Sequence, residues 1–237
     1  MTGQASNTGR STLRLFSSTA LKSVMTELAP LFQEAAGVAL EVEYGTSNQL
    51  IARIAAGEEA DIALLTDAGI QEMIAAGRLA TGSRQDFAQT GVGVGVRTGT
   101  PRPDISDVEA FTRALLQAPS VTFTASGASG VYFAKVLERL GIAEQVRAKA
   151  KIPAGGLIGE LLVRGETQLG VQLICELLAV PGVDLVGPLP AELQSIMVFS
   201  AGTFAGSAQA LPAQRFHDFL RSTQTREIMR QKGLQTL

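Results

Sequence analysis

Three hydroxyl-rich clusters carry the chemistry this chain can offer: Ser17-Ser18-Thr19, Thr46-Ser47-Asn48, and Ser126-Gly127-Ala128-Ser129-Gly130. Each follows a short apolar or β-branched run, at residues 13–16, 42–44 and 120–123, and each opens into a helical pattern. A helix start carries unpaired N–H groups and roughly half a positive charge, so hydroxyls gathered there can hold an anion without a formal cation. Taken singly, each cluster reads first as ordinary helix capping. Three together, each at the carboxyl end of a strand, would form a cage for an oxyanion or a carboxylate at the sheet edge where open α/β folds bind ligands. Lys22 follows the first cluster, in a first helical turn where a cation opposes the helix dipole unless an anion or an acidic side chain offsets it; Arg53 is a similar case.

Other chemistries are excluded by count. One histidine, His217, and one cysteine, Cys175, leave too few ligands for a zinc site of the usual kind, and no serine or cysteine triad unless those two residues meet. His217 lies between Phe216 and Phe219 and reads as a structural residue, and Cys175, in the apolar stretch 170–178, as a buried inert thiol. No phosphate-binding Gly-x-x-x-x-Gly-Lys loop occurs. Glu58 and Glu59 are sequence neighbours that do not face each other, which suits a solvated helix end. No metal and no cofactor is expected.

The elements that position these clusters alternate. Short β-branched runs and amphipathic stretches follow one another, predicting a mostly parallel sheet covered by helices. Helical spacing at Leu21, Val24, Leu28, Leu31 and Phe32 ends at Gly37, and a short helix through Leu50, Ile51 and Ile54 ends at Gly57. Residues 60–65 read as a buried strand and residues 90–96, alternating Gly and Val, as an extended segment where backbones approach closely. Ser106 with Glu109 reads as a capping box. In the middle, strands are expected at 120–123, 169–174 and 183–186, with helices at 129–140 and 157–162; two helices near 208–220 and 223–232 close the chain. The extended segments 90–96 and 195–201 flank the middle unit. They predict an outer lobe of residues 1–91 with 200–237, an inserted inner lobe of residues 92–199, and a ligand cleft between.

Composition fits such a molecule. Hydrophobic residues make up 46% of 237 and charged residues 18%, and the net charge is −2 with scattered basic residues. That balance argues against nucleic acid or an anionic membrane surface as a partner. No apolar run approaches the roughly 18 residues of a bilayer span. Residues 1–12 are polar and lack the apolar core of a signal peptide, which predicts a cytoplasmic protein, or a periplasmic one if an export leader has been removed.

The order of elements resembles the molybdate-binding members of the type 2 periplasmic solute-binding proteins. The resemblance runs from Leu13 to Leu237 and is carried by Leu15-Phe16-Ser17-Ser18-Thr19-Ala20-Leu21, by Gly45-Thr46-Ser47-Asn48-Gln49-Leu50 with Ile54-Ala55-Ala56-Gly57 and Ala60-Asp61-Ile62, and by Ser129-Gly130-Val131-Tyr132. It implies two α/β lobes joined by two crossover strands that close on ligand like a hinge. It also implies ligand contacts at Ser47 and Ser129. The family's first serine falls at Ala20, with Ser17 and Ser18 in the same turn. Its loop valine falls near Gly155 or Gly156, and its closing tyrosine at Leu173, beside Gln172.

The first function expected is therefore capture of a small anion, with an ABC permease as partner. The family also contains aconitate isomerase, which resembles these binding proteins, so the second is proton transfer on a small polycarboxylate in the same cleft. Asp67 and Glu176 are then the available bases and Lys22, Arg53 and Arg164 the available cations. A third is an intracellular ligand sensor on the same fold.

Overall fold

The computed structural model describes residues 12–237; the polar segment before Thr12, on which the reading of the N-terminus rests, lies outside the described residues. β1 (Thr12–Ser18) passes through a 3-10 turn at Thr19–Leu21 into α1 (Lys22–Ala36). Val24, Met25, Leu28 and Phe32 bury one face of α1, and Gly37, at φ 68°, ends it in the left-handed conformation that glycine adopts without strain. Then come β2 (Ala39–Gly45), α2 (Ser47–Ala55), β3 (Ile62–Thr66), α3 (Asp67–Ala75) and the 13-residue β4 (Gln85–Arg97). The middle of the chain holds α4 (Val108–Gln117), β5 (Val121–Thr122), α5 (Ala128–Arg139), α6 (Ala143–Arg147), β6 (Ala150–Lys151) and α7 (Gly159–Val163). It continues through β7 (Leu169–Leu173), α8 (Ile174–Leu178) and β8 (Val183–Pro188). β9 (Ile196–Thr203), α9 (Ala210–Leu220), α10 (Thr223–Gln231) and β10 (Gln235–Thr236) complete the chain.

The strands follow the order β2-β1-β3-β9-β4-β7-β5-β6, with β8 and β10 also paired to β4. The parallel pairs are β1 with β2 and β3, and β5 with β6 and β7, and β6 is a short strand that the sequence pattern did not mark. Every pair made by β4 or β9 is antiparallel, so the sheet is mixed. Residues 85–91 of β4 pair with β9, whereas residues 92–97 pair with β7 and β8. One strand thus serves two sets of partners, and the architecture is the two-lobed type 2 periplasmic-binding-protein fold.

The Gly–Val alternation in β4 has a packing cause. A Cβ on Gly93 would meet Ile174 Cγ1 at 2.8 Å, and one on Gly95 would meet Leu177 Cδ2 at 2.9 Å. The glycine face admits α8 against the backbone, while Val92, Val94 and Val96 are buried on the opposite face. One local expectation is corrected. Asp107, not Ser106, caps α4, its carboxylate accepting from Ala110 N at 2.8 Å; Ser106 N instead bonds Asp104. The carboxylate one residue nearer the helix outcompetes the hydroxyl as the acceptor. Among the described residues no helix is long and apolar enough to cross a membrane.

Candidate functional site

Two parallel pairs, β1 with β2 and β5 with β7, lead into turns whose residues line a small cavity of about 20 Å³. The first turn supplies Ser18, Thr19 and Ala20, the second Thr46 and Ser47, the third Thr124, Gly127 and Ala128. The fourth supplies Gln172, Leu173 and Glu176, with Gly156 and Phe199 filling the remaining wall. Residues of all three clusters therefore line one space, the third through Gly127 and Ala128 and not through its serines. That space holds about one water molecule, so the two sides are nearly closed on each other.

Direct contacts hold that closure. Asn48 Nδ2 donates to Ser126 O at 3.1 Å, and Thr46 Oγ1 lies 3.4 Å from Ser126 Oγ. A Cβ on Gly155 would come within 3.0 Å of Thr46 Cγ2, so a side chain there would hold the sides apart.

The hydroxyls divide by employment. Thr46 is the cap that the simplest reading expects. Its hydroxyl accepts from Gln49 N while Gln49 Oε1 accepts from Thr46 N, a complete capping box. Ser126 Oγ donates to Ala154 O at 2.5 Å, and Ser17 Oγ to Ser18 O at 3.4 Å. Ser18, Thr19 and Ser47, by contrast, line the cavity and make no side-chain hydrogen bond among the described residues. α5 begins at Gly127 with no side chain bonded to its first turn, leaving N–H groups there without an intrahelical partner.

Of the residues singled out in the sequence, Ser18, Thr19, Thr46, Ser47, Gly156 and Gln172 line the cavity. Ser17, Ser126, Ser129, Gly155 and Lys22 stand in the same turns without lining it. Gln172 has its amide engaged on both sides: Oε1 accepts from Ile158 N at 3.1 Å and Nε2 donates to Gly156 O at 2.8 Å. It fixes the 156–158 loop.

Sequence reasoning missed Thr124. Its hydroxyl is buried without a hydrogen-bond partner, beside the turn that starts α5. The backbone of that turn presses close: a Cβ on Gly130 would fall 1.8 Å from Thr124 O, so only glycine fits there. The available signal was the strand ending at Thr122 two residues before it.

Among the four bases and cations weighed with Lys22, the structure separates one. Glu176 lines the cavity, and burial pushes its carboxyl up to about 8, so it is largely protonated at neutral pH. Asp67 stands on α3 with Arg84 as its distant ion partner. Arg53 is clamped between Glu43 and Glu58 and lies over the Phe16 ring, and Arg164 pairs with Glu166 and Glu160. None of these three lines the cavity. Glu176 is thus the one ionisable residue among its lining, and its raised pKa keeps that lining largely uncharged at neutral pH.

The two residues set aside as structural are built in. His217 is held between Gln85 Oε1 at 3.1 Å and Thr203 Oγ1 at 3.0 Å, and burial lowers its basicity. Cys175 is buried, its thiol bonded to Ala20 O and pushed up by burial far above the ordinary range. Among the described residues no cluster of three or more His, Cys, Asp or Glu could hold a metal ion.

The sequence pattern shared by bacterial extracellular solute-binding proteins matches residues 13–235. A protein from Pseudomonas sp. described as aconitate isomerase is 34% identical over 229 residues, spanning 94% of this chain and 87% of that one. Among solved structures, the periplasmic molybdate-binding protein of Azotobacter vinelandii superposes with a TM-score of 0.78 at 18% identity, covering 94% of this chain and 98% of that chain. The sulfate-binding protein of Mycobacterium tuberculosis superposes with a TM-score of 0.77 at 18% identity, covering 96% and 87%.

Proposed function

We propose, for a chain that belongs to the bacterial extracellular solute-binding protein family, that it captures a small anion in the cleft between its lobes. The holding groups are neutral dipoles: the hydroxyls of Ser18, Thr19, Ser47 and Thr124 and the first-turn N–H groups of α2 and α5. The observation that carries this reading is the Thr124 hydroxyl. A buried donor with no partner costs about 1–3 kcal/mol, and an acceptor seated in the cleft would recover it. We take the lobes as residues 1–91 with 200–237 and residues 92–199. The change of partners along β4 between Gly91 and Val92 supports that division. In this role the partner is an ABC permease that receives the loaded, closed form.

The test is titration calorimetry with molybdate, sulfate, acetate, citrate and both aconitates. At least one of these anions should bind, and Ser47→Ala should weaken it about 10-fold, the loss of one donor to a charged acceptor. Unchanged affinity would remove Ser47 from the site, and no binding by any of them would end the reading.

A second reading is favoured by Glu176 and by the 34% identical aconitate isomerase. A carboxyl with a pKa of about 8 both gives and takes a proton near neutrality. In an allylic shift it would accept a proton from one carbon as the double bond moves, and a proton would return to the carbon at the far end. The reaction needs no oxidant. Absorbance change on mixing trans-aconitate with the protein, abolished in Glu176→Gln, would establish it; no conversion would leave capture alone.

A further inference from the structure

The crevice between the lobes does not stop at the small cavity. Past a wall formed by Thr19, Ala20 and Glu176 lies an outer chamber of about 310 Å³ that shares those three residues with the inner one. Lys22, Glu27 and Lys232 line it from the α1 and α10 side, and Leu157 from the opposite lobe. Thr19 and Ala20 belong to the turn after β1, and Glu176 to α8, so the partition is itself a junction between lobes. Any separation of the lobes that admits a guest to the inner space also parts this wall.

The charges are distributed unevenly across the two spaces. The inner cavity has no cation in its lining, while the outer chamber has two. Lys232 is paired with Glu27. Lys22 has no carboxylate partner among the described residues; its ammonium stands 5.8 Å from the centroid of the Tyr44 ring. It also occupies the first residue of α1, where a cation opposes the helix dipole. A second anionic group in the chamber would relieve both.

Resting on the anion-capture reading above, we propose that the guest is an elongated polycarboxylate, with one carboxylate among the inner dipoles and another reaching past Glu176 to Lys22. Once the lobes part, the inner space can take one flat carboxylate end, and the outer chamber accommodates the rest of the molecule. Lys232 contributes as the second cation when the guest competes with Glu27. Protonated at neutral pH, Glu176 adds no repulsion to a polyanion passing it and presents an O–H to the part of the guest between the two carboxylates.

Calorimetry at pH 7 with citrate and trans-aconitate as polycarboxylate probes, and acetate, sulfate and molybdate as compact ones, tests this. The polycarboxylates should bind at least about 10-fold tighter than acetate. Lys22→Met should remove most of that margin, leave any acetate binding unchanged, and be partly rescued by Lys22→Arg. Polycarboxylate affinity that survives both Lys22→Met and the Lys22→Met, Lys232→Met double change overturns the proposal. So does binding of sulfate or molybdate with no competition from polycarboxylates, an outcome that leaves anion capture standing. Failure of every anion to bind overturns both.

Discussion

Thr124→Val separates ligand contact from structural support because it pushes stability and affinity in opposite directions. The side chains have nearly the same shape, and the substitution removes only the hydroxyl. In the ligand-free protein that hydroxyl is buried with no partner. Its removal should therefore stabilise the fold by up to about 1–3 kcal/mol, the penalty for burying an unmatched polar group. For a protein of this size that is a rise in Tm of about 2–4 °C per kcal/mol. With ligand bound the sign reverses. A hydrogen bond to a charged acceptor contributes about 1.5–3 kcal/mol, so affinity should fall roughly 10- to 100-fold. Differential scanning fluorimetry without ligand and calorimetry with it give the two quantities on the same preparations. A Thr124→Val protein that melts lower than the parent and binds as tightly would refute the reasoning, since the hydroxyl would then support the fold and not the guest.

Two other perturbations probe the walls. The Glu176 carboxyl, at about 8 in the folded chain against an ordinary 4.5, holds a proton that the unfolded chain releases. Stability should therefore fall as pH rises from about 4.5 to 8, by an amount on the order of a few kcal/mol. Lys22, Glu27 and Lys232 across the outer chamber and the neighbouring Cys175 thiol are the other ionisable groups near it. Tm measured between pH 5 and 8 should flatten in Glu176→Gln, and an equal slope in both proteins would place the titration elsewhere. Gly130→Ala should lower unfolding stability by about 1–3 kcal/mol or more in urea titration, because its Cβ would fall 1.8 Å from Thr124 O. A loss under 1 kcal/mol would mean that the turn yields easily.

What the sequence made legible followed from periodicity and local chemistry. The apolar spacing along residues 21–32, the hydroxyls after each strand and the glycine stop at Gly37 are all local signals, and the corresponding strands, helices and turns stand where those signals put them. The close backbone approach along residues 90–96 was readable too, because glycine alternating with valine leaves one face bare. The mixed character of the sheet was not. It depends on β4 and β9 running against their neighbours, which no local pattern encodes. Thr124 was invisible for a different reason. A threonine after a strand is unremarkable until its hydroxyl proves to be buried and unmatched, and that is a property of the turn folded over it. Thr46 shows the converse, since its side chain looked like a ligand group and is committed to Gln49.

The placement of charge ties these features into one physical argument. A cleft that held its guest with lysines would attract any anion and release it slowly, whereas dipoles fixed by the backbone favour an anion only where the geometry is matched. Here the inner wall is largely uncharged at neutral pH and braced at two points: Gln172 holds the 156–158 loop and Thr46 caps α2, while the carboxyl of Glu176 carries its proton. Cations appear only one chamber further out, at Lys22 and Lys232. On the proposed reading a guest would be selected twice, by fit to the inner dipoles and by the distance from there to a second negative group. Discrimination by length follows directly, so dicarboxylates of increasing chain length should show an affinity optimum that disappears when Lys22 is replaced.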